Sequence, residues 1–173
     1  MRAGVIAFAW SVLPLLAAAQ TTPTYMSDVH LDWLRNRRNT LSYVDAIPDS
    51  ALGFRPTPGA RTFAEQFDHI ASTNLEVAAR ALKGATQVPN LGDSTKYLHD
   101  KAALKAYVSA TYDYVLEALT KATPTDLAKK SAMYGQPPAA ARRWLEHSVW
   151  TLGQVVPYLR LNRVQPPSYA MPF

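Results

Sequence analysis

Apolar residues recur along most of this chain at intervals of three and four, and no stretch alternates apolar with polar as a half-buried strand does. Between Ser27 and Ala46, Val29, Trp33, Leu34, Leu41 and Val44 form a stripe interrupted by Arg37 and Arg38, with Ser27 or Asp28 placed to cap it and Pro48 to end it. A proline-rich connection, Phe54-Arg55-Pro56-Thr57-Pro58-Gly59, leads to Thr62 and Glu65, which have the spacing of a capping box. Phe63, Phe67, Ile70, Val77 and Ala81 then make a narrow apolar seam, and Gly84 is a natural stop. Leu104, Val108, Thr111, Val115 and Leu119 keep the same period between Asp100 and Ala122, flanked by Tyr107, Tyr112 and Tyr114. A fourth stretch runs from about Pro138 to Leu161 and contains Gly153 and Pro157, where a bend is expected and the glycine eases close packing. The tail from Gln165 to Phe173 should lie irregularly against the rest. Four helices with moderate connections predict an all-α fold, a four-helix bundle.

The last helix has the most informative face. At about 100° per residue, His147, Thr151, Gln154 and Tyr158 share one stripe. Leu145, Val149, Leu152, Val156 and Leu159 take the other side, with Trp144, Trp150 and Val155 on the flanks. The polar stripe either faces solvent, the commoner arrangement, or lines an internal cleft.

Ahead of these helices, Met1 and Arg2 precede a largely apolar run from Ala3 to Leu16, and Ala17-Ala18-Ala19 supplies the small residues that a signal peptidase reads. The run is shorter than the roughly 20 apolar residues of a spanning helix and contains Pro14. The expectation is a cleaved signal peptide over residues 1–19, one domain over 20–173, export to the periplasm or exterior, and no stable membrane anchor afterwards. The absence of cysteine removes any disulfide, thiol nucleophile or thiolate ligand, so packing alone must hold the domain together. The formal net charge of +5 would suit nucleic acid, but the basic residues are scattered and no aromatic-interleaved patch appears, so no nucleic-acid partner is expected.

Short motifs for chemistry are few. There is no Gly-x-Ser-x-Gly elbow and no glycine loop of the kind that cradles phosphate. The four histidines stand at 30, 69, 99 and 147. His69 sits at the edge of the second helix's apolar seam, where a structural histidine is the ordinary reading.

Two phrases of the sequence are familiar. The stretch RPTPGARTFAEQFDHIA, Arg55 to Ala71, resembles the join between the first two helices of DinB-like proteins, and GQVVPYLRLNRVQPP, Gly153 to Pro167, resembles the close of their last helix. Members of that family are four-helix bundles, many of which bind zinc, nickel or a similar ion through three histidines. Some use it to activate a small thiol as thiol S-transferases, and others look like metal-dependent hydrolases. The resemblance implies His69 and His147 as two ligands and puts the third at position 151, where this chain has Thr151, beside Trp150. A hydroxyl is a poor substitute for imidazole, and the indole would fill space at the site. Trp150, Gln154 and Tyr158 are the expected lining of the cleft.

The resulting expectation is an exported DinB-like protein without a cofactor, a non-catalytic or metal-poor bundle that binds a small molecule or partner. The alternative is an enzyme dependent on a divalent metal, zinc or nickel, with an incomplete histidine site. A small-molecule ligand and a second copy of the chain are the partners left open.

Overall fold

The first helix buries a face that is polar in its middle. The computed structural model describes residues 21–123, 125–126 and 141–170, and in it α1 spans Thr21–Ala46. It begins six residues before Ser27, with Pro23 in the first turn, where a missing N–H costs nothing. Its buried face runs Val29, Trp33, Asn36, Thr40, Tyr43, Val44, so the seam continues across Arg37 and Arg38 through polar side chains. Leu34, expected in the stripe, is exposed.

After a short 3-10 turn at Asp49–Ala51, α2 spans Phe63–Val77. Thr62 Oγ1 accepts from the Glu65 N–H at 3.1 Å while the Glu65 carboxylate accepts from the Thr62 N–H at 2.7 Å, the reciprocal cap expected from the sequence. The helix widens into a π-turn at Ala78–Leu82 and ends at Gly84, whose φ of 63° explains the glycine there. A four-residue helix α3 (Ser94–Tyr97) precedes α4 (Lys101–Lys121), which Asp100 caps through the Ala103 N–H. In the linker, Gly92 leaves room for the stacked rings of Tyr97 and Tyr107; an added Cβ would stand 2.7 Å from the Tyr107 ring.

The last helix, α5, is described over Ala141–Leu161 with Pro157 inside it; the start expected at Pro138 lies outside the described residues, as does the signal segment 1–19. No described helix is long and apolar enough to cross a membrane. Gly153 is exposed, and a Cβ added there would meet nothing within 4 Å, so no close approach requires a glycine at this position.

Side-chain links give the directions. Asp45 pairs with Lys105 and Arg37 with Asp113, so α1 and α4 are antiparallel. Asp68 accepts from Tyr97 just ahead of α4, and Lys83 reaches Glu117 near its end, so α2 and α4 are parallel. His69 meets His147 and Gln66 meets Tyr158, which makes α5 antiparallel to α2. The principal packing is of α4 and α5 each against α1 and α2. Sequence neighbours α1 and α2 therefore lie across the diagonal, which is why a connection of sixteen residues, 47–62, joins them. The chain is an all-α four-helix bundle.

The core is a single cluster in which Trp33, Ile47, Phe63, Phe67, Ile70, Leu104, Leu152 and Leu159 are fully buried. At its centre stands a polar node. The Tyr112 hydroxyl meets Asn36 Oδ1, Ser148 Oγ at 2.8 Å and Thr40 Oγ1 at 2.9 Å, and Ser148 also donates to Asn36 Oδ1 at 2.8 Å. Three helices are cross-linked there. Burial pushes the Tyr112 phenol up, keeping it a neutral donor.

Candidate functional site

Antiparallel packing of α2 on α5 turns His69 and His147 towards each other. Their Nε2 atoms are 3.2 Å apart and their rings meet edge-on at 80°, each half-buried. His147 Nδ1 is buried without a partner. The tautomer that leaves only an acceptor unmet has His147 donating from Nε2 to His69 Nε2. Burial, then the nearby Arg61 charge, hold both imidazoles below the ordinary histidine range, with His147 adding to the effect on His69 and Asp68 opposing it. At neutral pH the pair is uncharged.

The third expected position is Thr151, one turn beyond His147 and only 3% exposed. Among the described residues no three of histidine, cysteine, aspartate or glutamate gather as a metal site would require. The residues outside the description, 1–20, 124, 127–140 and 171–173, contain none of those four types. Two imidazoles beside a guanidinium do not fit a resident divalent ion, which takes three or four protein ligands and is repelled by positive charge. The donor set falls short.

A cleft of about 670 Å³ opens towards the Gln66 end of α2, with neither histidine in its lining. Pro56, Gly59, Ala60 and Arg61 from the α1–α2 connection form one wall, and Gln66, Gln154, Pro157 and Tyr158 form the other. The capping box at Thr62 holds the connection where α2 begins. Tyr158 ties the two walls together, donating to the Arg61 carbonyl at 2.9 Å and accepting from Gln66 Nε2 at 3.1 Å. Its ring lies edge-on to Phe54 and Phe63.

Gln154 and Tyr158 stand in the wall of this cleft. Trp150 does not: it is 73% exposed and borders a separate shallow groove with Leu145, Glu146 and Val149. The indole is therefore no part of the cleft wall. The polar stripe of α5 is turned inward over much of its length, with Thr151 and Tyr158 buried and Gln154 exposed at the cleft, while Val149 faces solvent. The buried side of this helix is Ser148, Thr151, Leu152, Val155 and Leu159, a mixed face that apolar periodicity alone does not find. His30, half-buried on α1, and His99, exposed between α3 and α4, take no part in the pairing.

Sequence reasoning missed Arg61 and Gln66. Gln66 carried a signal, being a polar residue between Phe63, Phe67 and Ile70 on the buried side of a capped helix. Arg61 carried none beyond its place just ahead of the cap.

A model of the DinB superfamily matches residues 32–154, a span that includes His69, His147, Thr151, Arg61 and Gln66. The fold is similar to the crystal structure of the DinB-like protein YjoA from Bacillus subtilis, with a TM-score of 0.66 and 16% identity over 84% of this chain and 99% of that one. At that identity the likeness is one of fold. No curated protein matches the chain.

Proposed function

Since the chain belongs to the DinB superfamily, we propose that it is a metal-poor, non-catalytic member that holds a small molecule in the cleft at the Gln66 end of α2. The observation that carries this reading is buried Thr151 where the family resemblance puts a third ligand, with no third metal-binding side chain gathered at the pair among the described residues. Two neutral imidazoles hold a divalent ion weakly. What the arrangement offers instead is a concave surface of ligand size, with apolar walls and a few fixed polar groups.

The test is elemental analysis of the mature chain, isolated without a histidine tag. Metal far below one equivalent, unchanged in His69→Ala and His147→Ala, is the expected result. Near-unit zinc or nickel that disappears in either variant would overturn the reading. It would instead support a second one, an open two-histidine metalloenzyme. That alternative has one observation in its favour: two nitrogens on a tetrahedral ion, each about 2.05 Å from it, stand about 3.3 Å apart, close to the spacing here.

Export is part of the same proposal, resting on the apolar run and the Ala17-Ala18-Ala19 site. N-terminal sequencing of the mature protein should begin at Gln20; a retained Met1 would refute it.

A further inference from the structure

The unmet polar groups of the cleft point to the kind of molecule it takes. Tyr158 has one phenolic proton, and the Arg61 carbonyl 2.9 Å away can only accept, so the proton lies there. The Tyr158 oxygen must then accept from Gln66, which fixes the amide with Nε2 towards the phenol. Gln66 Oε1 is left over. It has no partner, on a side chain 5% exposed that forms part of the cleft wall. The oxygen is sealed from solvent, so an entering N–H or O–H meets this unpaired acceptor only as the Gln66 amide turns towards the cleft.

Arg61 is the complementary group. It takes part in none of the ion pairs among the described residues. Its neighbour Arg55 is already engaged, 3.5 Å from the Glu65 carboxylate and donating to the Ala60 carbonyl at 2.9 Å. Glu65 in turn is held by Arg55 and by the Thr62 N–H. The cleft therefore has one uncommitted cation. A single planar guanidinium matches a carboxylate in both charge and shape, whereas a phosphate dianion would keep a charge uncompensated.

We propose that the cleft binds a small organic carboxylate carrying its own O–H or N–H donor, with the carboxylate on Arg61, the donor on Gln66 Oε1, and an apolar remainder against Pro56, Pro157 and the Tyr158 ring. This rests on the reading of the cleft as a ligand site and adds the ligand's class.

Three probes separate its elements: mandelate has charge and hydroxyl, phenylacetate lacks the hydroxyl, and methyl mandelate lacks the charge. Titrated into the mature protein and followed by the side-chain amide NMR signals of Gln66 and Gln154, mandelate should shift both with a Kd on the order of 1 mM. Phenylacetate should bind more weakly, and methyl mandelate should leave the signals in place. Arg61→Gln should weaken mandelate at least about tenfold and Arg61→Lys less. The backbone carbonyl that Tyr158 holds survives both substitutions, and an unchanged circular dichroism spectrum certifies the fold. Equal binding of methyl mandelate, or mandelate binding unaffected in Arg61→Gln, would overturn the anion assignment while leaving the cleft a ligand site. No shift with any probe up to about 50 mM would also overturn it, and the metal analysis above would still judge the parent reading independently.

Discussion

The bundle holds two polar regions that differ in how they are closed. At the central node, Tyr112, Asn36, Thr40 and Ser148 are sealed from solvent and bond to one another across three helices. At the cleft, Tyr158 binds only part of what surrounds it, leaving Gln66 Oε1 without a partner and Arg61 outside every ion pair among the described residues. Both regions use a tyrosine as the hub. Both leave polar groups unmet: the sealed hub encloses Asn36 Nδ2 and the Asn74 amide, whereas the open one has Gln66 Oε1 behind a wall that faces solvent.

Substitutions can break or sharpen that contrast. The largest effect should come from Tyr112→Phe, which strips three buried groups of a partner where no water can replace it. We expect a loss of about 2–3 kcal/mol in urea unfolding, with mandelate affinity unchanged. A loss below about 0.5 kcal/mol would show that the node contributes little. Thr62→Ala removes half of the capping box and should cost about 1 kcal/mol by the same measurement, while loosening the cleft wall that begins there. Tyr158→Phe should cost less than about 1 kcal/mol, because Gln66 can turn its freed amide to cleft water. It should nevertheless weaken the ligand by releasing that amide, whereas equal damage to stability from both tyrosine variants would erase the distinction between the hubs.

The smallest effect is a pH drift. His69 and His147 are held below the ordinary histidine range by burial and by Arg61. Between that depressed value and about 6.5, the unfolded chain binds more protons than the folded one, so stability rises with pH through this window and levels off above it. Thermal unfolding should show Tm falling as pH drops below about 6.5, and the slope should lessen in His69→Gln.

The comparison also explains what could be read in advance. The α2 seam, its cap and its glycine stop follow from local rules, because Phe63, Phe67 and Ile70 are apolar and buried as periodicity assumes. The α4 seam is legible for the same reason. On α1 and α5 the buried faces contain Thr151 and also Asn36, Thr40 and Ser148, whose partners are on other helices. A reader counting apolar residues then misplaces Leu34 and Val149. The meeting of His69 with His147 could be anticipated through the family resemblance and not by spacing, since 78 positions separate them. The cleft's unpaired groups were less visible still: Gln66 is defined by a proton on Tyr158, and that depends on a carbonyl 97 positions away.

The indoles of Trp33 and Trp150 occupy opposite environments, one fully enclosed and edge-on to Tyr112 at 5.9 Å, the other bathed in solvent. Their fluorescence should differ in colour and in access to a dissolved quencher such as iodide. Once Trp10 and half-buried Trp144 are replaced by phenylalanine, emission that iodide cannot reach belongs to Trp33 and reports whether the central node is shut. The quenchable fraction reports the outer surface of α5. Trp33 and Trp150 thus form a two-indole optical gauge, readable without an attached label, of whether the interior opens before the helices come apart.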